Sequence, residues 1–189
     1  ETASTNEPLL PHFALQTAWS LGKYIEGLSI IENDRSAYRV IRDRGMADNL
    51  DFLADVAYPN KKIMVWAHNF HIRHRNEDVV YPGATSPSNE RTMGSWVSER
   101  RPNELYTIAM LTNTGQAAHN NREIYTVEPA RGTSSDALLK TPQLDIFINL
   151  KNDVFSEGSE WTHTQRIARE WGLVDYQMVL KDQYDGVIF

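Results

Sequence analysis

Lys61-Lys62-Ile63-Met64-Val65-Trp66-Ala67-His68-Asn69-Phe70-His71 is the stretch whose reading decides the fold. Apolar residues fill both parities of the run Ile63 to Ala67, so a strand here would bury both faces. That pattern belongs to an interior strand of a parallel sheet. The run stops at His68-Asn69, and ligands of open α/β sheets bind just beyond the carboxyl ends of such strands. His68, Asn69 and His71 are therefore candidate site residues on position alone.

Upstream, the pattern is helical from Pro11, where Ala14, Ala18, Leu21, Ile25 and Leu28 recur at spacings of four and three. Asn33 or Asp34 is the expected N-cap of a second helix. It runs to about Ala57, and Pro59 stops it. Arg42, Met46, Asn49 and Leu53 share one face of that helix and could reach into a cleft. The plainer reading of Arg42 is a side chain that snorkels toward a surface carboxylate.

Downstream, Arg73 to Glu90 is polar and irregular, as lids and binding loops often are. Thr92 to Arg101 reads as a short helix with Met93, Trp96 and Val97 inward, and Ser95 as an ordinary helix residue. Leu105 to Leu111, Glu123 to Val127 and Leu144 to Leu150 read as strands. Gly132 to Asp136 leads into a short helix at Ala137, Leu138 and Leu139. Thr162 is expected to cap a helix through Ile167, Ala168 and Trp171, closed by Gly172. Val174, Tyr176, Met178 and Leu180 alternate as in a half-exposed strand. Asp185-Gly186 turns the chain into a last strand. Strands alternating with helices predict an α/β architecture, a mostly parallel sheet flanked by helices. Residues 1–10 are expected to be a flexible lead-in and 11–189 a single α/β domain.

Composition narrows the function classes. The 189 residues carry a formal net charge of -6 without a basic cluster, so no nucleic-acid partner is expected. No apolar stretch approaches the roughly 20 residues of a membrane span, and no membrane partner is expected either. The chain has no cysteine, which excludes disulfides, thiolate metal sites and a thiol nucleophile and leaves the redox compartment open. It starts at Glu1 rather than Met and ends on apolar residues, as a fragment of a longer protein would.

His68, His71 and His74 fall within seven residues and invite a metal reading. A zinc site needs further ligands and a second shell, no HExxH pattern occurs, and extended chain at a spacing of three sends side chains to opposite faces. No metal and no cofactor is expected. His68 could also be a buried, hydrogen-bonded structural residue, and His74, between two arginines, a solvated loop residue. Acid–base chemistry suits the pair His68 and His71 better, because imidazole titrates near neutral pH. Without a Gly-x-Ser-x-Gly elbow, direct activation of water is favoured over an acyl-enzyme.

Arg42-Asp43-x-x-Met46-Ala47-x-Asn49 followed by Val65-Trp66-Ala67-His68-Asn69-x-His71 resembles the erythromycin esterase family. Thr92-Met93-Gly94, Gly132 to Leu139 and Tyr184 to Phe189 fit its later landmarks in order, so the resemblance covers most of the chain from about Ala37. It implies a hydrolase that opens a lactone or another carboxylic ester, with a histidine-activated water and no required metal. His68 and His71 inherit active-site positions. Arg42, Asp43, Met46, Asn49 and Asn69 match the motifs and are given supporting or substrate-lining roles. The implied partner is a small-molecule ester or lactone. The family's principal general base lies in a Gly-Glu-x-x-His-Gly segment of its N-terminal half, and nothing before Arg42 matches it. Ser159 to Thr164 imitates part of that segment without its glycines and reads as a helix start. The chain is thus expected to be a C-terminal portion, an incomplete domain lacking its N-terminal strands. Two functions remain open: esterase-like hydrolysis, and ligand binding without catalysis. Motif and fold do not fix the substrate.

Overall fold

The computed structural model describes residues 9–119, 121–139 and 146–189, and the chain divides into two compact units between Trp66 and Ala67. The expected lead-in, up to Pro8, and the first residues of the strand expected from Leu144 lie outside the described residues.

The first unit is an antiparallel helix pair, α1 (Leu10–Ile30) and α2 (Arg35–Phe52), the latter continued by one π-helical turn over Leu53–Ala57. Asp34 caps α2, its carboxylate accepting the Ala37 N–H at 2.9 Å, and this satisfies one of the orphan donors of the first turn. The pair is joined by Phe13 edge-on to Phe52 and by Gln16 and Ser20, which both donate to Asn49 Oδ1 at 2.6 and 2.9 Å. At Gly27 the helices come so close that a Cβ would stand 3.0 Å from the Tyr38 ring. The expected stripe of Ala14, Ala18, Leu21, Ile25 and Leu28 is not the buried face; all five are exposed. Period alone fixes a stripe, but the contacts to Asn49, Phe52 and Tyr38 fix the rotation of α1 about its axis.

The expected interior strand is also corrected. Lys61 to His68 forms no strand or helix, and Met64 and Trp66 are 91% and 83% exposed. A both-sided apolar pattern records what a segment prefers to bury. Whether it becomes a strand depends on a partner backbone, and none pairs with it among the described residues.

The second unit opens with α3 (Asn69–Ile72) and α4 (Met93–Arg100). Thr92 and Ser95 form the capping box of α4, so Ser95 is a helix residue that also helps cap the helix start. Strands β1 (Ile108–Met110), β2 (Gly115–Ala118) and β3 (Ile124–Val127) follow. Beyond them come α5 (Ser135–Leu138), β4 (Phe147–Asn149) and α6 (Glu160–His163). The chain closes with β5 (Gln165–Glu170), β6 (Val174–Val179), α7 (Leu180–Gln183) and β7 (Gly186–Ile188).

The fold is mixed α/β, but the sheet is not mostly parallel. β7 lies between β1, which it pairs in parallel (Ala109 opposite Val187), and β4, which it pairs antiparallel (Ile148 opposite Val187). β2–β3 and β5–β6 are separate antiparallel hairpins. The core gathers Ala109, Leu150, Tyr176, Met178, Leu180, Tyr184 and Val187. Burying an aliphatic side chain such as Val187 contributes about 1.5–3 kcal/mol.

The helix expected from Thr162 to Gly172 is instead the short α6 followed by β5. Leu173 N–H donates to Glu170 O across a tight turn whose two central residues, Trp171 and Gly172, both have positive φ (53° and 67°). Positive φ at both positions is the turn that matches strand twist in a hairpin. A Cβ on Gly172 would also collide with Val127 at 2.4 Å. The loop Arg73 to Glu90 is no open lid. Asn76, fully buried, donates to Tyr81 and Glu90 O and accepts from Arg73, and Val80 bridges to Gln177.

Candidate functional site

In the second unit, His68 has β-region backbone and is the N-cap of α3. Its Nδ1 accepts the Phe70 N–H at 3.2 Å, the role usually taken by a Ser, Thr, Asp or Asn oxygen. Asn69 then locks the helix to the sheet. Its side-chain amide donates to Met110 O at 2.7 Å and accepts from Met110 N at 3.1 Å, as a neighbouring strand would. Met110 is the last residue of β1, so α3 starts at the carboxyl end of a parallel strand, where α/β sheets place their ligands. His71 sits in the single turn of α3, edge-on to Phe70.

Behind α3 lies a pair of charges that sequence reading missed. Arg73 is fully buried and donates to Glu170 Oε1 at 2.5 Å, to Asn76 Oδ1 at 2.8 Å and to the Tyr184 hydroxyl at 3.3 Å. Its guanidinium carbon lies 4.4 Å from the centroid of the Tyr176 ring. Glu170 closes β5, equally buried, and its second oxygen lies 3.6 Å from His68 Nδ1 with no donor among the described residues. Burial pushes the Glu170 carboxyl up, and Arg73 pulls it back. The next residue, Trp171, holds its ring flat against His68, centroids 4.0 Å apart and planes 19° from parallel. A bulky residue at positive φ is uncommon, and such strain tends to gather at working sites.

These surroundings set the protonation of His68. Burial, then the electrostatic influence of His71 and Arg73, lowers its pKa from 6.5 to about 4. Near neutral pH the ring is therefore uncharged, and the 3.6 Å approach to Glu170 is not an ion pair. His74 is not the solvated loop residue expected. Its Nε2 is 2.8 Å from Thr107 Oγ1 and 3.6 Å from Asp185, and burial lowers its pKa against the pull of that carboxylate.

The other sequence candidates belong to the first unit. Arg42, Met46 and Asn49 share a face of α2 and line a groove of about 170 Å³ with Lys23, Tyr24 and Tyr38. Arg42 Nε lies 3.8 Å from the buried carboxylate of its neighbour Asp43. Among the described residues no three His, Asp or Glu side chains are grouped as a metal would require, and no helix is long and apolar enough to cross a membrane.

The unmissed part of the site was legible because His68, Asn69 and His71 follow one another. Glu170 and Trp171 were hidden by the helical reading of Thr162 to Gly172, and Arg73 by its place in a polar loop. The adjacency of Trp171 and Gly172 before the alternating strand was the one turn signal available.

Comparison with known proteins places these features in a family. The erythromycin esterase family model matches residues 5–189. YbfO of Bacillus subtilis, a protein named as a hydrolase, is 35% identical over 153 residues, which is 79% of this chain and 34% of that protein. The chain thus spans about a third of that relative's length. Among solved structures, a Bacillus cereus protein superposes over 81% of this chain and 38% of its own, with a TM-score of 0.63 and 15% identity. A succinoglycan biosynthesis protein covers 93% and 49%, at 0.64 and 17%. The erythromycin esterase EreC, a mutant in its open conformation, covers 80% and 36%, at 0.54 and 19%. At these identities the structural likenesses concern the fold.

Proposed function

This chain belongs to the erythromycin esterase family, and from that premise we propose that the site on α3 serves hydrolysis of a lactone or other carboxylic ester by direct attack of water. The observation that carries the reading is the placing of His68 at the N-cap, and His71 in the turn, of one short helix. That helix is clamped by Asn69 to the carboxyl end of β1 and backed by the buried Arg73–Glu170 pair. The name of YbfO as a hydrolase supports it.

In this reaction the water oxygen bonds to the carbonyl carbon and gives its proton to a base. The carbonyl oxygen takes the negative charge and needs a donor. Collapse of the tetrahedral intermediate breaks the acyl C–O bond, and the alkoxide leaves with the proton. One water is consumed, and a carboxylic acid and an alcohol are formed. Two imidazoles offer both functions, proton acceptance and hydrogen-bond donation. Asn69 supports them by holding α3 in register with β1.

The test is hydrolysis of p-nitrophenyl acetate and of a macrocyclic lactone by the chain and by His71→Ala. A loss of at least about 100-fold in kcat/KM is expected for the variant, the usual scale for acid–base groups. Equal rates would remove His71 from the chemistry. Saturable binding of the lactone without turnover would favour a ligand-binding role instead.

A further inference from the structure

Resting on that reading, we infer that His68 works as a neutral hydrogen-bond donor through Nε2–H to the substrate's carbonyl oxygen, and not as the base that takes water's proton, because its Nδ1 is held as the acceptor of the α3 cap. A neutral imidazole carries one proton on two nitrogens. The Phe70 N–H points at Nδ1 from 3.2 Å, so the proton belongs on Nε2. Nε2 then has no lone pair to offer a water, and the lone pair on Nδ1 is occupied.

Taking up a second proton would put N–H against N–H at Nδ1 and break the cap of the helix that carries His71. The titratable and charged groups facing the ring are His71 on α3, Arg73 just beyond it and Glu170 on β5. Glu170 is the one that would draw a proton onto Nδ1, but its free Oε2 lies 3.6 Å from that nitrogen, beyond hydrogen-bond distance, while its Oε1 holds Arg73. The depressed pKa of His68 agrees with this arrangement. Trp171, stacked on the ring face, fixes the plane in which the Nε2–H edge is presented, and 28% of the side chain remains exposed. A neutral histidine at a helix start that polarises a carbonyl is a known way to stabilise an oxyanion. The proton of the attacking water then goes to a different base.

Two measurements decide this. The first is long-range 1H–15N correlation NMR of the full chain from pH 5 to 8, with the His68 signals assigned by their loss in His68→Gln. The Nε2–H tautomer at pH 7, with a titration midpoint well below 6.5, supports the assignment. An Nδ1–H tautomer or an imidazolium at pH 7 overturns it. The second is the rate series His68→Gln, His68→Asn and His68→Ala with p-nitrophenyl acetate, on variants whose thermal unfolding is still cooperative. Gln keeps an N–H near the Nε2 position, whereas Asn can cap but offers nothing there. Loss of about 100-fold is expected for Asn and Ala, on the scale of one oxyanion donor, and less than about tenfold for Gln. Equal losses in all three overturn the donor role. A chain that hydrolyses no ester but shows the Nε2–H tautomer retires the esterase reading while leaving the proton on Nε2.

Discussion

Replacing Glu170 with Gln tests the buried charge pair that backs the site. Both members are inside, Arg73 at 0% and Glu170 at 2% side-chain exposure. The substitution keeps an oxygen where Arg73 donates but removes the charge, so the guanidinium is left uncompensated in a low-dielectric interior. Breaking such a pair by removing one partner costs about 3–5 kcal/mol. The retained hydrogen bond and the remaining Arg73 contacts to Asn76 and Tyr184 place Glu170→Gln at the lower end, about 3 kcal/mol. For a domain stabilised by 5–15 kcal/mol this is a large share, and it converts to a fall in Tm of about 10 °C. Urea and thermal unfolding at pH 7 measure it. The complementary change, Arg73→Met, leaves a carboxyl that burial already holds above its ordinary 4.5. A group whose folded pKa is raised contributes stability at low pH that is lost as pH rises through that pKa. Arg73→Met should therefore become more stable, relative to wild type, on going from pH 7 toward 4.5. A Glu170→Gln variant within about 1 kcal/mol of wild type, or an Arg73→Met variant without the acid shift, would refute a buried pair as the support of α3.

Two further outcomes are expected. Gly94→Ala would put a Cβ 2.3 Å from the Ile72 carbonyl carbon and 2.4 Å from Arg73 O, both backbone; with no side chain to yield, a cost of about 3 kcal/mol is expected by denaturant titration. His68, depressed to about 4 from 6.5, contributes stability present above 6.5 and lost as pH falls through that window, because the unfolded chain binds the extra proton. Discounted for the ring's partial exposure, this amounts to about 1–2 kcal/mol. His68→Gln should flatten the stability-versus-pH curve there, and an unchanged slope would show that the ring does not titrate as described.

What the sequence by itself determined was local. Asp34 marked the start of α2, Pro59 the limit of the helical segment, Thr92 the start of α4, and the alternation from Val174 the course of β6. Each is written within a few residues, in capping groups, fixed dihedrals or a two-residue period, and needs nothing distant to be read. The family motifs around Arg42 and His68 are equally local. The tertiary structure alone decided which segments pair. Ile63 to Ala67 has the pattern of a core strand yet is exposed as far as Trp66, while Gln165 to Glu170, read as helix, finds β6 and becomes a strand. The candidate site divides in the same way. His68, Asn69 and His71 were visible as neighbours in the chain, but the Asn69 clamp joins residues 41 apart and the Arg73–Glu170 pair residues 97 apart. Hydrogen bonds of that kind are set by where two backbones are brought, and no periodicity in either segment records the other.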